Sequence, residues 1–504
     1  LEVYHRDRDV IEPGASVGFR SWRASRLPHL GSLLDAKPCY LLPGMARGVD
    51  AVAGWGRKDK SRAAQAFAAR RRLPFYTVEY GFLRSLERND PPLSIVVDDL
   101  GIYYDATRPS RLEQLIQEAL CDSQIAHARK VIEAWRNARA SKYNYAREYQ
   151  GNLPARYVLV CDQTSGDASI HYGMAGPESF ERMLQAALAE NPDATVLVKT
   201  HPDVVTRKKR GYLGRALLEG NPRILISGDG CHPVSLIEHA AAVYTVTSQL
   251  GLEGLLWGKK VRTFGMPFYA GWGLTADELP APERRGSASL EQLFHAALIE
   301  YPRYVDPETG ERCDVQQVLA HIGLQRRMRQ RFASQVYAIG FSAWKKPILK
   351  RFLAGSNLQF LSDRSAVPAH ASAVVWGSGI PTPAPSQCHP ALTPGPHLAG
   401  NGFRRCAHCP RQGPACAHRR IRHYEIQSPW RELAASNHRP KDHSRARPGR
   451  RRCFDPLRRA GCQNELGAAS RRTCGAPRCP SHLQNPSRCR RRSERPWRIG
   501  GASR

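Results

Sequence analysis

The last 124 residues, 381–504, contain no valine and a single lysine. That is not an ordinary soluble composition, and no cored domain is expected there. Nowhere does the chain approach 18 consecutive apolar residues, which leaves no candidate transmembrane helix. The opening LEVYHRDRDVIEPG has no apolar signal-peptide core. The five cysteines before residue 380 (Cys39, Cys121, Cys161, Cys231, Cys313) show no paired spacing, which fits a reducing compartment better than a disulfide framework. No G-x-G-x-x-G follows a strand pattern, and Gly254–Lys260 is one residue short of a phosphate-binding loop. The expectation is a cytoplasmic protein, held at a membrane surface by its basic face.

What is present divides near residue 380. The 504 residues predict two to four domains, and 75 Lys and Arg against 45 Asp and Glu give a formal charge of +30. Residues 381–504 account for +20 of that charge, with 9 of the 14 cysteines and 16 of the 37 prolines. Arg, Pro, Cys, His and Ser without Val is what a GC-rich gene gives when read out of frame. Cys406, Cys409, Cys416 and His418 have ligand types that suit zinc, but nothing apolar surrounds them. With the tail set aside, residues 1–380 carry an ordinary surplus, which removes the argument for a nucleic-acid partner.

The body alternates. Residues 60–72 read as an amphipathic helix, Phe75–Glu79 and Leu93–Asp98 as strands, and Ser110–Ile116 as a helix opened by a Ser110/Glu113 capping box. Residues 122–150 read as one long polar helix, and Gly151–Arg156 as a linker. Strands follow at Tyr157–Cys161, Thr195–His201, Ile224–Ser227, Val243–Ser248 and Val261–Phe264, with helices at Pro177–Glu190, Pro233–Ala241 and Leu252–Gly258. This pattern predicts parallel sheets with crossover helices. The expected architecture is α/β: a first domain over 1–150 and a second over 151–345, both doubly wound and facing a cleft. A connector over 346–380 and the aberrant tail over 381–504 follow.

Ligands in such sheets sit at the carboxyl ends of strands. Glu79, Asp162–Asp167, Lys199–His201, Thr247–Ser248 and Gly265–Gly273 all fall there. Glu79 and Asp167 are carboxylates on opposite domains, a pair able to act across a sugar. His201 suits a phosphate, and Ser248 opens a helix whose free N–H groups favour an anion. Singly, each residue has a plainer use as a cap or turn. Five such ends converging in one fold point to a site.

The strings GWGRK (54–58), GFLRS (81–85), DQTSGDASI (162–170), VKTHPDV (198–204), YTVTSQLGLEGLLWGKKV (244–261) and FGMPFYAGWGLTAD (264–277) resemble capsule polysaccharide export proteins of the KpsC/LipA type, with a match over roughly residues 15–377. The resemblance implies a GT-B-like pair of Rossmann-like domains acting as a retaining β-Kdo glycosyltransferase. CMP-Kdo is the implied donor, a lipid-linked Kdo acceptor of phosphatidylglycerol type the acceptor, and no metal or other cofactor is implied. It places the protein with a capsule assembly and export complex at the cytoplasmic face of the inner membrane. Similarity to bacterial sialyltransferases makes Glu79 the implied acid/base and Asp167 the nucleophile, with Asp162 as competing candidate. His201, Pro202, Thr247, Ser248, Gly251 and Glu253 are implied at the nucleotide. Arg84, Gln163, Thr164 and Lys199 are implied at the substrates. The family usually has Asp where Tyr80 stands, and residues 84–91 look short, so the expectation includes impaired chemistry. A non-catalytic export or scaffold component binding the glycolipid is the alternative. Ala373–Gly377 (AVVWG) echoes Val52–Gly56 (VAGWG), as the start of a lost second module would.

Overall fold

The computed structural model describes residues 10–42, 48–200, 210–214, 218, 220–227, 230–362, 367–368 and 371–376, with the backbone of Arg422–Ile426. All lie in one compact unit, Leu1–Ala434. The second unit, Ala435–Arg504, and the candidate zinc ligands of the tail lie outside the described residues.

The first sheet opens as a parallel α/β layer. Strand β1 (Ser16–Phe19) leads through α1 (Trp22–Ser25) and α2 (Leu30–Leu34) to β2 (Lys37–Tyr40), and β3 (Ala51–Trp55) through α3 (Asp59–Arg71) to β4 (Phe75–Tyr80). Small residues Ser61, Ala64 and Ala68 form the buried face of α3, so the helix lies close to the sheet. A Cβ at Gly54 would stand 2.0 Å from Ser61 Oγ, so only glycine fits there. The expectation of an all-parallel sheet fails at β5 (Ser94–Asp98), which runs antiparallel to β4. The connection over 81–93 holds no helix, and a crossover back to parallel needs one.

Helices α4 (Arg111–Gln117) and α5 (Asp122–Ala138) follow. Ser110 and Glu113 form the anticipated capping box. The helix expected over 122–150 ends at Ala138, where Arg139 turns left-handed at φ 48°. Its guanidinium is drawn to Glu148 and Glu238, at 2.9 and 2.8 Å, and the chain reverses there.

The second sheet is parallel throughout. It comprises β6 (Tyr157–Cys161), β7 (Thr195–Lys199), β8 (Ile224–Ser227), β9 (Ala242–Thr245), β10 (Lys260–Thr263) and β11 (Ala276–Asp277), in the order β11-β10-β9-β6-β7-β8. Its helices are α6 (Ala168–Tyr172), α7 (Pro177–Glu190), α8 (Val234–Ile237) and α9 (Gln249–Leu256). The order reverses between β6 and β9, which opens a crevice at their carboxyl ends.

The second domain does not run to residue 345 as expected. After α10 (Leu290–Phe294) and a π-helical turn (His295–Glu300), the chain returns to the first sheet as β12 (Pro302–Val305) and β13 (Arg312–Cys313). β12 lies antiparallel to β5, and Tyr301 donates to the buried Asp98 carboxylate at 2.8 Å. Helix α11 (Val315–Gln330) then packs on α5. Phe82, Trp135, Tyr157, Leu252, Phe268 and Phe294 belong to one apolar cluster, so the two domains share a core.

A third sheet stands where a connector was expected. Strands β14 (Gln335–Ile339), β15 (Asn357–Leu361) and β16 (Ser372–Trp376), with α12 (Lys345–Phe352) between the first two, pair in parallel. The backbone of Arg422–Ile426 adds β17, a strand in a tail that carries no strand period. The order β15-β14-β16-β17 repeats the order β2-β1-β3-β4 of the first sheet. The sequence repeats with it: Gly18-Phe19-Arg-Ser-Trp22 corresponds to Gly340-Phe341-Ser-Ala-Trp344.

Candidate active site

Glu79 ends β4 with its carboxylate held from two sides. Trp55 Nε1 donates to Oε1 at 2.8 Å, and the Tyr80 N–H donates to the same oxygen at 3.0 Å. Burial pushes the Glu79 pKa above the usual carboxylate range, against those donors. Gly56, at φ +55°, lets the backbone approach, because a Cβ there would stand 2.8 Å from both Glu79 Oε2 and the Tyr104 oxygen. Tyr104 accepts from the Arg57 N–H at 2.9 Å, and the Arg57 guanidinium pairs with buried Asp105 at 3.0 Å.

Asp167 caps α6 from the opposite domain. Its Oδ1 accepts from the Ser169 N–H and hydroxyl, both at 3.0 Å, and the residue is exposed. Ser169 Oγ lies 3.1 Å from Thr247 Oγ1, and the Gln163 amide closes the chain. Gln163 Nε2 donates to Thr247 Oγ1 at 3.1 Å, and its Oε1 accepts from the Thr247 N–H at 2.9 Å. The loops after β6 and β9 are thus one polar network with Asp167 at its rim.

The two carboxylates both act on one buried phenol. Burial raises the Tyr103 phenol well above its ordinary pKa, and Glu79 and Asp167 both raise it further. The facing loops are tied directly: Gln249 Nε2 donates to the Phe82 carbonyl at 2.9 Å, and the Ala106 N–H to the Tyr172 carbonyl at 2.8 Å. Arg57 lies over the Tyr172 ring at 5.1 Å, and Phe82 stacks on Phe268 at 4.8 Å.

Other expected site residues separate into groups. Ser248 caps α9 by accepting from the Leu250 N–H at 3.3 Å. Lys199 ends β7 and is buried, and Thr164 is buried beside Gly211, with which it forms a bridge. Arg84 lies over the rings of Tyr80 and Tyr143, at 4.5 and 5.5 Å. Asp162 is turned inward, accepting from the backbone N–H groups of Gln163, Tyr212 and Leu213 at 2.9–3.2 Å, and so braces its loop. His201 and Pro202 lie outside the described residues.

One expected nucleotide contact, Glu253, is corrected, and Gly251 has a packing role. Glu253 has no exposed surface. Its Oε1 accepts from Ser141 Oγ at 2.9 Å, Gln249 Nε2 at 3.2 Å and the Lys142 N–H at 3.3 Å, a clasp between domains. Burial pushes its pKa up to about 7. Gly251 serves packing: a Cβ would stand 2.2 Å from the Tyr269 hydroxyl, which donates to the Ser248 carbonyl at 2.5 Å. Sequence reasoning missed Trp55 and Ser169 as holders of the carboxylates. Both sit inside motif strings (GWGRK and DQTSGDASI), but no local period marks a donor to a residue 24 positions on. Among the described residues no three His, Cys, Asp or Glu side chains gather as a metal site. No helix of the described residues is long and apolar enough to cross a membrane.

A family model described as capsule polysaccharide biosynthesis protein matches residues 50–150 and 125–304. The capsule polysaccharide modification protein LipA of Neisseria meningitidis is 40% identical over 378 residues, 70% of this chain and 53% of LipA. The lipopolysaccharide-processing protein LpsZ of Rhizobium meliloti is 37% identical over 288 residues, 54% of this chain and 63% of LpsZ. The chain thus spans about half the length of LipA. Among solved structures, the KpsC β-Kdo 2,4 transferase of Thermosulfurimonas dismutans matches at 40% identity and a TM-score of 0.58, covering 62% of this chain and 99% of that one. Two Rossmann-like α/β domains facing a cleft, the GT-B-like arrangement, are common ground.

Proposed function

The chain belongs to the capsule polysaccharide biosynthesis protein family, and from that premise we propose that it is a retaining β-Kdo transferase. In this reading it moves Kdo from CMP-Kdo to a lipid-linked, phosphatidylglycerol-type acceptor at the cytoplasmic face of the inner membrane, as part of a capsule assembly and export complex. The similarity to a β-Kdo 2,4 transferase favours a 2→4 linkage. The observation that carries the reading is the pair of carboxylates from facing domains, Glu79 and Asp167, both within electrostatic reach of Tyr103.

The residues suit two displacements. An Asp167 carboxylate oxygen attacks C2 of Kdo, and the C2–O bond to CMP breaks, its electron pair leaving on the phosphate. Ser169 occupies Oδ1, so Oδ2 is the assigned attacking atom. The acceptor hydroxyl then attacks C2, displaces Asp167 and gives its proton to Glu79. Ser248, Thr247 and His201–Pro202 are assigned to the departing CMP, and Lys199, Gln163, Thr164 and Arg84 to the sugars. Lys199 and Thr164 act from beneath the cleft surface, since both are buried.

The alternative, a non-catalytic glycolipid-binding component, is favoured by Tyr80. Its ring packs against Trp55 at 4.7 Å and under Arg84, in a place where the resemblance calls for a carboxylate. CMP release from CMP-Kdo with a Kdo-primed lipid acceptor separates the readings. A Kdo adduct on the Asp167 peptide and a β2→4 product by NMR are the expected results. An adduct on Asp162, or inverted product, overturns the nucleophile assignment, and no CMP release in wild type or in Tyr80→Asp overturns the enzyme.

A further inference from the structure

Apolar side chains exposed on a basic background are concentrated in one segment of this molecule. Residues 324–352 contain eight Lys and Arg and no Asp or Glu. The same segment supplies Leu324, Met328, Trp344, Ile348 and Phe352, each between 45% and 66% exposed. Their spacing makes them a surface feature. Leu324, Met328 and Phe332 recur every fourth residue along α11 and its end, and Trp344, Ile348 and Phe352 every fourth residue along α12. The Phe332 and Phe352 rings meet at 6.0 Å, which joins the two rows. The opposite side of α12 is anchored, with Leu349 and Leu353 buried against the third sheet.

Charge decides what this ridge suits. Of the basic residues, Arg326 and Arg329 are committed to Glu148 and Glu87. Arg327, Arg331, Lys350 and Arg351 are exposed along the ridge. An apolar stripe with tryptophan, bordered by cations and with no acid in its own segment, has the composition of a helix lying in a lipid headgroup layer. An apolar patch made to meet another protein surface is ordinarily depleted of charge at its core and mixed in sign at its rim.

We propose that the ridge formed by the end of α11 and by α12 is a bilayer-docking surface for anionic phospholipid, inserting Trp344, Ile348 and Phe352 at the headgroup–acyl boundary while Lys350 and Arg351 meet the headgroups. It does not rest on the transferase reading, because docking is read without donor or acceptor.

The test uses the full chain and vesicles of phosphatidylglycerol mixed with phosphatidylethanolamine. The basic residues of 381–504 also attract such vesicles, so partition is measured at about 0.5 M salt, where screening shortens charge effects to about 4 Å. Ile348→Glu with Phe352→Glu should lower partition about tenfold or more. With brominated acyl chains, tryptophan quenching should largely vanish in Trp344→Phe while binding persists. If the double variant melts early, Lys350→Glu with Arg351→Glu replaces it at about 0.1 M salt, with about a tenfold loss expected. Partition and quenching unchanged by these substitutions would overturn the proposal. So would a wild-type dimer that Ile348→Glu with Phe352→Glu dissociates, since a second copy would then cover the ridge.

Discussion

The opening of the first sheet and the third sheet are built from the same parts and reach different ends. Both run strand, helix, strand, strand in parallel, and both place a tryptophan at the end of the third strand, Trp55 in β3 and Trp376 in β16. In the first sheet the indole of Trp55 donates to Glu79 on the next strand. In the third, Trp376 packs edge-on against Phe341 at 5.8 Å and under Lys345. Gly54, which lets α3 close on the sheet, corresponds to Val375. A shared strand pattern thus builds a layer; a site requires the glycines that let polar groups approach and a second domain in front.

The largest expected effect is on catalysis. Glu79→Gln should lower Kdo transfer by about 10²–10⁴-fold, the usual range for a positioned acid/base, whereas Trp376→Ala should leave the rate unchanged. Transfer lost equally in both would erase the distinction between the two sheets.

The clasps rank next. Glu113 is buried against Arg284 and Arg285, at 2.8 and 2.7 Å, across the two large domains. Glu113→Gln leaves Arg285 buried without its counter-ion and should cost about 3 kcal/mol in denaturant unfolding. The third sheet is held by Arg147, which donates to the carbonyls of Arg329, Phe332 and Gly355. Arg147→Ala should cost about 1–2 kcal/mol, with protease nicking confined to residues 335–376.

Stability should also depend on pH through Glu253. Its folded pKa of about 7 lies above its unfolded value, so the folded chain holds a proton that the unfolded chain releases. Stability is therefore greatest below about pH 4.5 as far as this group goes, and falls as pH rises toward 7. The loss is about 3 kcal/mol at most. Urea unfolding at pH 5.5 and 7.5 should show this slope, and Glu253→Gln should flatten it.

A reciprocal exchange sharpens the comparison most directly. Gly54→Val, which installs the residue of the third sheet in the first, should cost about 1–3 kcal/mol by overpacking against Ser61. Val375→Gly, the reverse change, should cost less, about 1 kcal/mol, from backbone freedom and lost packing. A Gly54→Val protein with unchanged melting would show that α3 shifts freely.

Much of this is legible in the sequence. Tyr157–Cys161, Pro177–Glu190 and Ile224–Ser227 stand as read, because buried strands and amphipathic helices carry their periods locally. The strand ends bring Glu79 and Asp167 forward as candidates. The return of β12 to the first sheet was not legible, because it pairs Pro302 with Val96, two hundred positions earlier, and no local period reports such a partner. Glu253 misled for a related reason: a polar residue one turn into a helix after a strand reads as cleft lining until Ser141 and Lys142 are seen to cover it.

By itself the sequence determined the local elements, the capping box at Ser110, the family strings and the break in composition near residue 380. Each of these is encoded within a few residues or in bulk composition. Only the tertiary structure decided that Trp55 holds Glu79, that Ser169 and Thr247 hold Asp167, and that Glu253 lies between domains. Those outcomes depend on side chains tens to more than a hundred residues apart meeting within 3 Å or so, and chain folding sets such distances where sequence spacing does not.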